Sequence, residues 1–235
     1  GFNPESRRPY VTWTLLAATI VLFLLQSASK LLLGTDLLAI MGAKVNEYIY
    51  AGQIWRLVTP MFLHGSVLHI AFNMYALYII GSGLELYYGH LRYLLLYLLG
   101  GFAGNVLSFA FTESASLGAS TAVFGLIAAQ GIFIYRNRFL FGNRAGRMLS
   151  NIVMIVIFNL VLGAAQPGID NWGHLGGLLG GLLFAWFSGP EYAVKQEAFG
   201  LMLENKRTHD ETWRTLILTG LLFMAIAAAK LFFLR

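Results

Sequence analysis

The sequence predicts an all-α fold, a polytopic membrane helical bundle in one domain, and three observations carry that prediction. Of the 235 residues, 57% are apolar and only 11% charged, whereas a soluble domain averages about 45–50% and about 25%. Apolar runs long enough to cross a hydrocarbon core of about 30 Å follow one another nearly end to end. The basic residues sit mostly in the short connections between those runs, where they set topology. The net charge of +5 therefore indicates the lipid bilayer as a partner and not nucleic acid. With no cysteine in the chain, disulfides, cysteine-ligated clusters and cysteine nucleophiles are excluded.

The first run, from about Val11 to Leu33, follows Arg7 and Arg8. It is too long for a signal-peptide core of about 7–15 residues and is expected to remain as a span. Between Gly34 and Gly65 short apolar pieces alternate with Asp36, Lys44, Asn46, Glu47 and Trp55-Arg56, a pattern that suits the membrane interface. A second span runs from about Val67 to Leu84, with His69 and Asn73 four residues apart and so on one helical face. Glu85, sixteen residues beyond His69, falls roughly 24 Å away along the helix, on the other side of the bilayer. Further spans are expected at about Leu91 to Phe111, Ala119 to Tyr135, Arg147 to Ala164, Trp172 to Phe187 and Trp213 to Leu234. The stretch from Ser188 to Thr212 is polar and mixed in charge, the other long connection.

A cytoplasmic N-terminus places eleven of the 16 lysines and arginines inside, among them Arg92, Arg136 and Arg207, and leaves Lys30, Lys44, Arg56, Lys230 and Arg235 outside. That bias fixes the expected orientation. No repeat of fixed period is visible, which weakens an inverted-repeat transporter reading.

Two polar positions stand out against this apolar background. Ser120 lies in Gly118-Ala119-Ser120-Thr121-Ala122-Val123-Phe124-Gly125, at the start of a helix with small neighbours, and His174 lies in Gly173-His174-Leu175-Gly176-Gly177. A serine in such a place is packing glue or a nucleophile, and an ionisable ring within a span is a candidate functional group. In the expected topology both occupy the outer ends of their helices, each sixteen residues before an inner boundary marker, Arg136 or Pro190. They should share one depth, a few ångströms below the outer surface, in a water-filled cavity. Base catalysis needs them within about 2.6–3.2 Å, closer than helices packed at about 8–10 Å allow.

Gly173, Gly177 and Gly181 on one helix, and Ala122, Gly125 and Ala129 on the other, could permit that approach, though such rows are also ordinary packing seams. An attacked amide further needs donors for its oxyanion. The Ser120 N–H at a helix start, His69 and Asn73 are the candidates, while Asp170 suits a helix cap. No zinc, phosphate-loop or Gly-x-Ser-x-Gly motif occurs, and neither metal nor other cofactor is expected.

In Trp55-Arg56, His69-x-x-x-Asn73, Glu85 with Gly89, Gly118-x-Ser120 and Gly173-His174-x-x-Gly177-x-x-x-Gly181, the chain resembles the rhomboid family of intramembrane serine proteases. The resemblance covers about Trp55 to Phe187. It implies a six-helix rhomboid-like core over 1–187, a cytoplasmic loop over 188–212 and a seventh transmembrane helix over 213–235. It also implies Ser120 as nucleophile, His174 as general base and acid, and the Ser120 N–H, His69 and Asn73 as the oxyanion site. Transmembrane protein substrates, cut near the outer face of the cell membrane, are the implied partners, and Phe124 resembles the aromatic that packs on the catalytic histidine. Thr121 stands where the family motif often has glycine. The second reading is therefore a catalytically inactive rhomboid-like protein that binds transmembrane helices.

Overall fold

The computed structural model describes residues 8–166, 168–197 and 200–233. Arg7 and Arg235, two of the charges used to orient the chain, lie outside them, as does the last span beyond Phe233. In chain order the helices are α1 (Tyr10–Leu33), the short α2 (Leu37–Gly42) and α3 (Asn46–Tyr50), α4 (Val67–Tyr88), α5 (His90–Phe111), α6 (Ser120–Arg136), α7 (Ala145–Ala165), α8 (Asn171–Ser188) and α9 (His209–Phe233). Five are long and apolar enough to cross a membrane: α1, α4, α5, α9, and α7 taken with the helical turn at its start, Arg138–Ala165. α6 is shorter, and α8 dilutes its leucines with glycine, asparagine and histidine. Among the described residues the protein is thus a multi-pass helical membrane bundle.

α5 is its axis, with 67% of its apolar window inside the bundle against 6% for the α7 segment. Small residues explain how so much of α5 is enclosed. A Cβ added at Gly104 would come within 2.5 Å of the Thr121 Cβ and 2.6 Å of the Gly173 carbonyl, and one at Gly100 within 3.3 Å of the Gly125 Cα. α8 lies in the wedge between α5 and α6 by the same means. Gly176 and Gly180 face Ala103 of α5, while Gly177 and Gly181 face the backbone at Thr121 and Gly125 of α6.

The expected seam is corrected in two respects. α8 carries two glycine rows where one is predicted, and Gly100 of α5 also packs against Ala122 and Gly125 of α6. The reason is geometric: a helix seated between two neighbours must be thin on two faces, and residues three and four apart serve both.

α4 continues to Tyr88, four residues past the expected end, with a π-helical segment at Leu77–Gly81. Its last turn carries Glu85, 1% exposed, whose carboxylate accepts from Val11 N (2.9 Å), Thr12 N (2.7 Å) and Thr12 Oγ1 (2.7 Å). α1 follows Pro9, which provides no side-chain cap, so Glu85 satisfies amides that a helix start leaves without partners. It performs this at the end of α4 remote from His69.

The first loop folds into α2, α3 and two 3₁₀ turns, Ile54–Leu57 and Thr59–Phe62. Arg56 donates to the Ala43 and Ile40 carbonyls at 2.6 Å each, and Trp55 Nε1 to the Met41 carbonyl at 3.0 Å. These bonds satisfy carbonyls at the end of α2.

Between Ser188 and Thr212, the stretch that charge mixing marks as a loop, the chain forms an antiparallel hairpin of β1 (Tyr192–Glu197) and β2 (Gly200–Asn205), in register from Tyr192↔Asn205 to Glu197↔Gly200. Asn137 at the end of α6 anchors it, donating to the Pro190 carbonyl and accepting from Tyr192 N. An anchor distant in sequence is invisible to local pattern.

Candidate active site

α6 starts at Ser120 because the chain before it is tied down on three sides. Lys44 and Ser116 form a two-way backbone bridge (2.9 and 3.0 Å), Gly118 N donates to the Pro60 carbonyl (2.9 Å), and Ala119 N donates to His64 Nε2 (3.3 Å). Lys44 is fully buried, and its ammonium donates to the Thr112 and Ser114 carbonyls at 2.8 Å each. Burial outweighs the attraction of Asp170, Glu113 and Glu47 and lowers its pKa from the ordinary 10.5 to about 8.

α8 starts with Asp170, whose Oδ1 accepts from Gly173 N at 2.8 Å, an N-cap as the sequence predicts. One turn further in, His174 Nε2 and Ser120 Oγ share a hydrogen bond of 3.0 Å. Phe124, one turn beyond Ser120, stacks on the His174 ring at 4.3 Å between centroids and 7° between planes. Among the described residues His174 Nδ1 has no hydrogen-bond partner, so no carboxylate orients the ring from behind.

α4 brings His69 to the same place. Ser66 caps the helix by accepting from His69 N (3.2 Å). The ring lies so close to Gly118 that a Cβ there would be 2.6 Å from His69 Nε2 and 3.7 Å from Ser120 Oγ. With a φ of 139°, Gly118 holds a backbone conformation that side chains disfavour, and its missing side chain leaves the gap between hydroxyl and imidazole. Asn73 is buried one turn along, but its amide donates to the His69 carbonyl at 3.1 Å.

Ser120 and His174 are thus in direct contact, His69 is adjacent to them across Gly118, and Asn73 is on the His69 face without a bond to the pair. His64, a weaker loop candidate in the sequence, is the ring behind His69, at 5.0 Å between centroids and 69° between planes. Its five-residue offset from His69 offers no helical signal, since His64 precedes the helix and acts through a loop. Lys44 carried no signal either: a buried ammonium holding loop carbonyls has no local pattern.

A hydroxyl hydrogen-bonded to an imidazole, at a helix start where amides lack intrahelical partners, is an arrangement that can perform acyl transfer. The Rhomboid domain family matches residues 51–191. The rhomboid protease GluP of Bacillus subtilis (strain 168) is 39% identical over 199 residues, covering 85% of this chain and 38% of GluP. RHOMBOID-like protein 7 of Arabidopsis thaliana is 37% identical over 66% of this chain and 50% of its own. Rhomboid-like protease 1 of Toxoplasma gondii is 37% identical over 69% and 56%. The chain therefore spans from about two fifths to somewhat over half the length of these relatives. A domain match over more than half of the chain, set on a membrane bundle whose serine and histidine meet where two helices touch through glycine, places this chain in the rhomboid family.

Proposed function

We propose that the protein is an intramembrane serine endopeptidase that hydrolyses peptide bonds in transmembrane substrates through a Ser120–His174 dyad. The observation that carries this reading is the 3.0 Å contact between Ser120 Oγ and His174 Nε2, within the reach that general-base catalysis needs. Ser120 Oγ attacks the scissile carbonyl carbon as its proton passes to His174 Nε2. The carbonyl oxygen becomes an oxyanion facing the Ser120 N–H, His69 and Asn73. Collapse breaks the C–N bond, His174 returns its proton to the leaving nitrogen, and an ester to Ser120 remains. Water, deprotonated by His174, then attacks the ester and releases the acid.

Phe124 holds the imidazole in the plane that this shuttling requires. The charge bias supports a cytoplasmic N-terminus and a site open to the outer face of the cell membrane.

The competing reading is an inactive rhomboid-like protein that binds transmembrane helices, motivated by Thr121. The Thr121 methyl group fills the seam toward Gly104 and Gly173, away from the space before Ser120, which favours the protease. A fluorophosphonate separates the two, since covalent trapping needs an activated hydroxyl. Labelling of the purified protein at Ser120, lost in His174→Ala, is the expected result. An unlabelled, folded wild type supports the binder.

Two further outcomes test the assigned roles. Asn73→Ala and His69→Ala are each expected to lower kcat by about 10²–10³ with little change in KM, the usual cost of one oxyanion donor. Full kinetics in one detergent decide this: a raised KM with constant kcat would make both residues substrate contacts only.

Asp170→Asn is expected to leave cleavage nearly unchanged, because asparagine caps a helix as well as aspartate does. A kcat loss on the order of 10⁴, the cost of neutralising a triad aspartate, would show that the carboxylate acts on His174 after all.

A further inference from the structure

At the end of the bundle opposite Ser120, a cavity of about 620 Å³ opens where α4 ends, α5 and α9 begin and the hairpin docks. Arg92 is in its wall, only 8% exposed. Its Nε donates to Thr212 Oγ1 at 2.9 Å, and Nη2 to the Thr208 and Arg207 carbonyls at 3.1 and 3.5 Å. All three acceptors are neutral. Among the described residues no carboxylate lies within ion-pair distance of Arg92, whereas Arg136 pairs with Glu191 and Arg207 with both Glu191 and Glu211. A buried guanidinium without a counter-ion is unfavourable, and here it lines a space open to solutes.

A second guanidinium lies in the same lining. Arg207, His90 and His209 line the cavity and no aspartate or glutamate does. Glu85 engages His90, and Glu191 and Glu211 engage Arg207, which leaves Arg92 without an ion pair among the described residues, Glu211 acting on it only from a distance. Arg207 Nε is buried and has no acceptor among the described residues. α5 starts here with no side-chain cap, so its first amides and the positive end of its dipole add to the field. Trp213 and Tyr192 supply apolar walls with polar edges, the side chains that settle at a membrane–water boundary. The volume falls within the range of ligand sites.

We propose that this cavity binds a phosphate-bearing anion through Arg92 and Arg207, either the phosphodiester of a membrane lipid at the bilayer edge or a soluble phosphate. Guanidinium is the side chain best matched to phosphate oxygens. Hydroxyl and carbonyl partners hold Arg92 in place before the ligand arrives. The inference is independent of proteolysis, since the cavity and the dyad occupy opposite ends of the bundle.

The test is thermal unfolding and native mass spectrometry of the purified chain in uncharged detergent, titrated with dioleoyl phosphatidylglycerol, with inorganic phosphate, and with sodium chloride at matched ionic strength. Saturable stabilisation beyond the chloride control is expected, with affinity about tenfold weaker in Arg92→Gln, the order of one charge-assisted hydrogen bond. Saturation by phosphatidylglycerol alone identifies a lipid, and saturation by inorganic phosphate identifies a soluble ligand. Where Arg92→Gln does not fold, Arg207→Gln at the half-buried rim is read instead, with the same weakening expected. Absence of saturable stabilisation by either probe, or unchanged affinity in the folded variant, overturns the proposal.

Discussion

Ser120→Ala is expected to abolish cleavage of transmembrane substrates while the protein remains folded and monodisperse in detergent. The substitution removes the hydroxyl that, among the described residues, is hydrogen-bonded to His174 Nε2 and could attack a carbonyl. In soluble serine proteases, loss of the nucleophile lowers kcat on the order of 10⁶, and what remains comes from the oxyanion site and binding. Stability should change little, because the fold loses one partly buried hydrogen bond worth about 1 kcal/mol. Cleavage of a panel of transmembrane substrates, run beside thermal unfolding of both proteins, checks the two halves together. Activity above about a hundredth of wild type in a folded variant would place the nucleophile elsewhere, since no uncatalysed route approaches that rate.

Gly177→Ala is expected to remove nearly all activity from a residue that touches no substrate. A Cβ at this position would collide with the carbonyl of Thr121 on α6, and backbone at a helix contact cannot swing aside as a side chain can. α6 and α8 must then separate, and overpacking of this kind costs about 1–3 kcal/mol. The larger consequence is chemical. Ser120 and His174 lie on the two helices forced apart, and a misplacement of about 1 Å can cost about 10² in rate.

Gly83→Ala is the control: a Cβ there meets nothing within 4 Å, and alanine is the better helix former by about 0.5–1 kcal/mol. Full activity and equal or higher stability are expected of it. Wild-type kcat in Gly177→Ala would show that the seam has slack and that close helix approach does not set the dyad distance.

Much of this was legible in the chain itself. The spans came from apolar length, because backbone in lipid must satisfy its own hydrogen bonds and only helices of that length do so here. Ser120, His174, His69 and Asn73 stood out because polar side chains within apolar helices are costly without a purpose. The Asp170 cap was visible because capping is decided within one turn of chain.

What the sequence left open lies in contacts between distant segments. The hairpin at 192–205 depends on Asn137, the start of α1 on Glu85, and the loop before Ser120 on Lys44 and His64. None of these pairings has a periodic or short-range signature.

The sequence by itself determined that the protein crosses a membrane repeatedly, and which few polar residues are brought into the apolar bundle, because both follow from local composition and hydrophobic length. Only the tertiary structure decided that Ser120 and His174 stand 3.0 Å apart, that α8 is thin on two faces, and that Arg92 lines a cavity without a carboxylate. Distances between helices are set by which side chains are missing at their crossings, and a linear chain does not state which crossings occur.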